Sequence, residues 1–349
     1  PLEVAMCLKV DRGSNFDRVA DTLEAEGAIF NRTLFRIAVD YAERGDDLKA
    51  GAYLIPAGAS MKQITDTVTS TGRSTCGTEI VYRIGVTRTT VQVRELNPAT
   101  NRFDALVTFN PAEEDLPAAY TMFKEDSSTR FRIAMAEGIT SWQIVDGLKS
   151  IDILAGNPTD IPAEGSLAPD SFDIGKGDDR LALLDQMQAI QKRRVAQAWE
   201  NRADDAPVST PEEMVILASI IEKETAISDE RGQVASVFAN RLVRGMRLQT
   251  DPTVIYGITK GEGTLGRGLR QSELRRATPW NTYTIDGLPP TPIANPGLAS
   301  LQAAVAPDET DFIFFVADGT GGHAFAETLA EHNRNVAVWR QIETDRANN

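Results

Sequence analysis

Two cysteines and two histidines in 349 residues leave little material for metal or thiol chemistry. Cys7 and Cys76 are too few for a disulfide scaffold, and their spacing fits no zinc site. They allow one bridge in an oxidising compartment or two buried thiols, and the sequence leaves both open. His323 and His332 lie far from either cysteine, so no histidine-based metal site is expected and both read as structural. Positive charge is also scarce: 36 Lys and Arg against 50 Asp and Glu give a net charge of −14. A nucleic-acid partner needs a basic footprint, so that class is set aside. No apolar run reaches the roughly 18 residues that a membrane-spanning helix requires. What remains, 42% hydrophobic and 25% charged, is ordinary for a folded protein and long enough for two domains.

The informative chemistry is concentrated in residues 215–257. Met214, Leu217, Ala218 and Ile221 recur at helical spacing and predict a buried helix. The same run carries two carboxylates. At 100° per residue, Glu224 falls beside Leu217 and Ile220, and Glu222 beside Val215 and Ala218, while Lys223 projects to the polar side. A carboxyl facing an apolar groove is favoured in its neutral form, the state a general acid needs. A solvated helix end with Glu222 in an ion pair accounts for the same pattern. Beyond it, Ser228 reads as the cap of a second helix that Gly245 stops, and Asp251-Pro252 as the cap and first turn of a third. Residues 261–268, GEGTLGRG, lack the Gly-Lys-Ser/Thr ending of a phosphate-binding loop and read as a flap. FIFFVAD and HAFAET predict a hairpin across residues 319–322, followed by a closing helix.

The first 155 residues hold a repeat. Gly13, Gly58 and Gly138 are each followed by a small polar residue at +2 (Asn15, Ser60, Thr140). A β-branched residue stands at +6 (Val19, Ile64, Ile144), Asp at +8 (Asp21, Asp66, Asp146) and an aliphatic at +10 (Leu23, Val68, Leu148). Each glycine follows an extended segment, so the unit predicts strand, turn, N-cap and short helix. Between the second and third copies, TTVQVREL and RFDALVTF alternate around Asn97-Pro98-Ala99-Thr100-Asn101 and predict a hairpin. Residues 155–165 are rich in Pro and Gly and read as a linker.

Several long motifs resemble one family. EKET at 222–225, NRL at 240–242, GMRLQTDPTVIYG at 245–257, NTYTIDGLPPTPIANPG at 281–297, VADGTGGHAF at 316–325 and EHN at 331–333 resemble the MltG (YceG-like) endolytic murein transglycosylases. EGSLAPDSF at 164–172 is similar to that family's EG-(aromatic)-L-(aromatic)-PDTY signature, with Ser166 and Ala168 in place of the aromatics. The resemblance implies an α+β protein. It implies a LysM-like module over 1–157 and a mostly helical, lysozyme-like catalytic domain over 158–349; residues at about 74–129 depart from shorter family members and read as a β-rich insertion in the module. It places the catalytic acid at Glu224 and needs no metal and no cofactor; Thr225, Gln249, Asn281 and Tyr283 are the candidates here for the wall that holds the sugar.

The activity so implied is cleavage of MurNAc–GlcNAc bonds in peptidoglycan strands to leave 1,6-anhydro ends, terminating nascent strands. Ordinary glycosidases need a second carboxylate, and none stands out in the sequence. The implied partners are peptidoglycan glycan strands and peptidoglycan synthases (penicillin-binding proteins). The implied location is the periplasm, anchored to the inner membrane by a helix ahead of Pro1. Two other readings fit the residues: a water-using muramidase with Asp251 or Glu164 as base, and a non-catalytic peptidoglycan-binding or scaffold protein that uses the repeats.

Overall fold

The glycine repeats fold as their offsets predict. In the computed structural model, which describes residues 2–70 and 72–347, β1 (Met6–Val10) passes through Gly13 into α1 (Phe16–Ala25). After α2 (Arg32–Tyr41), β2 (Gly51–Ile55) passes through Gly58 into α3 (Met61–Thr69). The two glycines have φ of 78° and 69°, a left-handed turn that costs a residue without Cβ little. Asn15 and Ser60 then accept hydrogen bonds from the backbone N–H three residues on, each cap stabilising its helix by about 1 kcal/mol. The +6 and +10 side chains, Val19, Leu23, Ile64 and Val68, are buried against Leu8, Val10, Tyr53 and Ile55 of the antiparallel β1–β2 pair.

The chain divides into two compact units that interleave in sequence: residues 1–83, 88–134 and 171–176, and residues 84–87, 135–170 and 177–349. In the first, Cys7 and Cys76 form a disulfide, with 5.7 Å between their Cα atoms. The bridge closes a loop across a sequence separation of 69, which restricts the unfolded chain. Replacing both cysteines with serine is expected to cost about 2–4 kcal/mol, read as a lower urea midpoint that dithiothreitol reproduces in the unaltered protein. An unchanged midpoint would show that the bridge adds nothing.

The segment expected as an insertion is the body of a sheet. β3 (Thr78–Ile84), β4 (Thr89–Asn97), β5 (Arg102–Phe109), β6 (Arg130–Met135) and β7 (Ser171–Ile174) order as β5-β4-β3-β6-β7, so 74–129 supplies three of five strands, including the central one. The predicted β4–β5 hairpin is present, its turn held by Asn97 Oδ1 accepting from the Ala99 and Thr100 N–H groups. A helix absent from the sequence reading, α4 (Ala118–Glu125), brings Tyr120 against Phe109 and the Tyr82 hydroxyl. Glu79 is buried at the sheet centre among Arg94, Arg130 and Arg132.

The third copy of the repeat ends in the second unit: Gly138 (φ 75°), the cap Thr140, and α5 (Ser141–Ser150), with Ile144 and Leu148 buried. The rest of that unit is mainly helical: α6 (Arg180–Glu200), α7 (Pro211–Glu224), α8 (Arg231–Val243), α9 (Asp251–Thr259), α10 (Gln271–Leu274) and α11 (Leu298–Val305). The predicted hairpin β8 (Phe314–Ala317) and β9 (His323–Ala326) follows, then α12 (Leu329–Ala347). Met214, Leu217, Ala218, Ile220 and Ile221 of α7 form one core with Val234 and Phe238 of α8 and Leu301 and Ala304 of α11.

Polar groups fix this core in one arrangement. Asn240 donates to the Thr310 and Phe312 carbonyls, and Arg241 to those of Ile313 and Leu248, so the NRL motif latches the strand that follows α11. Asn295, fully buried in the proline loop, donates to the Ile139 carbonyl and Glu164 and accepts from the Leu167 N–H. The EGSLAPDSF loop is thus a packing element: Leu167 and Ala168 are buried, and Glu164 also accepts from the Ser141 N–H at the start of α5. Among the described residues no helix is long and apolar enough to cross a membrane.

Candidate active site

α7 begins at Thr210, whose hydroxyl accepts from the Glu213 N–H, with Pro211 in the first turn. It ends at Glu224, because Thr225 adopts an extended backbone and its own hydroxyl accepts from the Ile227 N–H. Glu224 therefore stands at the negative end of a helix dipole, on a core element that cannot shift without disturbing the packing around it. Burial raises its carboxyl above the usual carboxylate range, and the nearby charge of Asp251 raises it further. The Thr250 hydroxyl donates to Glu224 Oε1, and His323 and Arg241 stand close enough to oppose the rise in part.

The Thr250 hydroxyl is aimed by a small polar core. Gln249 holds a left-handed backbone with φ 53°, unusual for a residue with a side chain. Its N–H donates to the Thr282 carbonyl, and the Thr250 N–H donates to the Thr282 hydroxyl at 3.0 Å. Thr253 donates to the Thr250 carbonyl at 2.7 Å and meets Thr282 at 2.9 Å. All three threonines are buried. Asp251 is the first residue of α9, not its cap; Thr250 holds the cap position without a capping hydrogen bond, since its hydroxyl is committed to Glu224. Asp251 instead accepts from the Tyr283 hydroxyl at 2.6 Å. Ser228 likewise opens a short 3-10 turn ahead of α8 instead of capping it.

The sequence-predicted residues thus divide. Glu224 and Thr225 line one cavity, and Tyr283 is joined to the same cluster through Asp251. Gln249 is exposed beside Thr250. Asn281, expected among the residues that hold sugar, is fully buried and donates to the Glu273, Leu274 and Arg276 carbonyls while accepting from the Tyr283 N–H. Both amide hydrogens are spent on carbonyls, and the side chain is fully buried away from the cavity surface. Trp280 is also occupied: its Nε1 donates to Thr291 and Lys260 lies 3.5 Å over its ring. Sequence reasoning missed Thr250, Thr253 and Thr282, and it took His323 as structural. His323 is held by Glu230, through its N–H at 3.0 Å and Nδ1 at 2.8 Å. Among the described residues no group of three or more His, Cys, Asp or Glu is placed to hold a metal ion.

One carboxyl, raised by burial at the end of a core helix and gripped by a threonine hydroxyl, has the setting a general acid needs, on an α+β scaffold. The chain belongs to the YceG-like family, whose model matches residues 8–338. It is 36% identical over 173 residues to the endolytic murein transglycosylase of Bacillus subtilis strain 168, covering 50% of this chain and 47% of that protein. It is 26% identical over 335 residues to the endolytic murein transglycosylase of Streptococcus pneumoniae serotype 2, covering 94% of this chain and 57% of that one. The chain therefore spans about half the length of the curated relatives it matches. The crystal structure of a yceG-like protein from Listeria monocytogenes matches 95% of this chain and 98% of its own, with a TM-score of 0.50 and 23% identity, a likeness of fold.

Proposed function

We propose that this chain is a peptidoglycan lytic transglycosylase with Glu224 as its single acid and base. The observation that carries the reading is the raised, threonine-held carboxyl of Glu224 beside an open cavity, in a chain whose relatives are endolytic murein transglycosylases. Neutral Glu224 gives its proton to the glycosidic oxygen between MurNAc and GlcNAc, and that bond breaks. The resulting carboxylate takes the proton of the C6 hydroxyl as that oxygen bonds to C1 of the same sugar. The product is a 1,6-anhydro end, formed without water. In this reading Thr225 and Gln249 hold the sugar, and Tyr283 acts there through Asp251. Residues 158–349 would then carry the lysozyme-like catalysis, and the repeats a LysM-like module that holds glycan or spaces the site from a membrane anchor. Synthases of the same strands are the partners this implies.

One observation favours a second reading. Asp251 stands near enough to raise Glu224, so a water-activating carboxylate is at hand for a muramidase. Digestion of purified glycan strands in oxygen-18 water separates the two by mass spectrometry. The lyase yields 1,6-anhydro ends without label, and Asp251→Asn leaves the product chemistry unchanged. Labelled reducing ends that vanish in Asp251→Asn would establish the muramidase, and intact strands would leave only a binding role.

A further inference from the structure

We propose that two copies of this chain pair through α2, with its exposed apolar stripe laid antiparallel on the same stripe of the second copy. The pairing is independent of the cleavage reading. α2 is apolar on two sides. Phe35 and Val39 point into the core of the first unit and are fully buried. On the other side Leu34, Ile37 and Tyr41 are 59%, 58% and 91% exposed, and Phe30, just ahead of the cap Asn31, is 80% exposed. At 100° per residue the three helical positions fall within about 60° of one another. One core accounts for one apolar face, and a second face of four large side chains marks an interaction surface.

The spacing along the stripe identifies what covers it. From Phe30 the steps are four, three and four residues, which reads the same from either end and matches the alternating apolar positions of a coiled-coil seam. A two-fold axis through the middle of α2 therefore sets Phe30 against Tyr41 of the second copy and Leu34 against its Ile37, each contact made twice. Antiparallel packing also opposes the two helix dipoles, which parallel packing would align. The borders of the stripe tell against other occupants. Asp40 pairs with Arg36 at 3.9 Å and Arg36 also with Asp17, so neither calls for a partner of opposite sign. Residues 17–47 hold eight Asp and Glu against four Arg, a local excess of four negative charges. A helix that lies on an anionic bilayer has a cationic border, and this one has the reverse. A glycan needs donors and acceptors, and the stripe offers one hydroxyl, on Tyr41.

The stripe can cover about 500 Å² on each copy and about 1,000 Å² in all, the size at which specific interfaces begin. The pairing is accordingly weak, with a dissociation constant on the order of 10⁻⁴ M, and salt strengthens it by screening the like-charged borders. Sedimentation equilibrium at concentrations from about 10 μM to about 1 mM tests it. The weight-average mass should climb from 38.0 kDa towards twice that value, more steeply at higher salt. Leu34→Glu and Ile37→Lys, both at exposed positions, should each weaken the pairing by about tenfold or more. Mixed in equal amounts, the two variants should recover the dimer, because the introduced carboxylate and ammonium then meet across the seam. Recovery also shows that both variants fold. A parent that stays at 38.0 kDa throughout, variants that dimerise as the parent does, or a mixture no better than its parts overturns the proposal. A monomeric parent that sediments with phosphatidylglycerol vesicles or with glycan strands, and loses this in both variants, assigns the face to that ligand and overturns it as well.

Discussion

Glutamine at position 224 is expected to leave the fold intact and lower cleavage of glycan strands by about 10³-fold, the usual worth of a positioned general acid. The amide keeps the size of the side chain and can still accept the Thr250 hydroxyl, so only the exchangeable proton is lost. Glu222→Gln should keep most activity, since its role is to accept the Gly297 N–H, and an amide oxygen accepts equally well. If the Glu222 change abolished cleavage and the Glu224 change did not, the roles would be reversed. Stability supplies an independent check. The folded protein holds the Glu224 proton more tightly than the unfolded chain does. This group therefore favours folding most at low pH, and that contribution is lost as pH rises through the raised folded value. Glu224→Gln lacks the loss. Its Tm relative to the parent should be higher at pH 8 than at pH 4, and a difference independent of pH would contradict the raised carboxyl. The rate should fall along the same limb, above the ordinary glutamate range near about 4.3, because the acid must begin protonated.

Much of this was legible along the chain wherever the signal was local. The offsets from Gly13, Gly58 and Gly138 encode a turn, a cap and a buried helix face, all within a dozen residues, and all three copies fold that way. The Asn97 turn and the hairpin before α12 are local too. The α7 periodicity marked a buried helix, although Ile216 and Ser219 are buried as well, so the helix is enclosed more fully than its stripe implies. What the sequence hid depends on partners far apart. Alternation over residues 74–129 says strand, but it does not say that β3 will be the centre of a sheet completed by β6 and β7. The Thr250–Thr253–Thr282 cluster joins two segments about thirty residues apart, and a threonine in a loop gives no sign of what its hydroxyl will meet. The same holds for His323, whose partner Glu230 lies 93 residues earlier. Asp251 was misjudged by one position, which is the ordinary uncertainty of a helix boundary.

Asn281→Ala is expected to cost roughly 3–5 kcal/mol of stability and with it most of the activity. The side chain is fully buried and serves four backbone groups: three carbonyls between Glu273 and Arg276 and the Tyr283 N–H. Alanine removes these bonds, at about 1–3 kcal/mol for each group that neither water nor another N–H then serves. The damage should reach the site through the chain itself. Thr282 follows Asn281 directly and aims Thr250 at Glu224, and Tyr283 holds Asp251. A sugar-contacting residue predicts the opposite pattern, with Tm unchanged, KM raised and kcat nearly preserved. Asn281→Asp sharpens the contrast. It keeps an acceptor for the Tyr283 N–H but sets a carboxylate against three carbonyl oxygens, so it should be no more stable than the alanine variant, although it remains a good hydrogen-bonding group for sugar hydroxyls. A folded Asn281→Asp protein with near-normal Tm would return this residue to the substrate. A Tm well below the parent's in both variants, with kcat and the folded fraction falling together, would fix it as the support on which the Thr250–Glu224 contact rests.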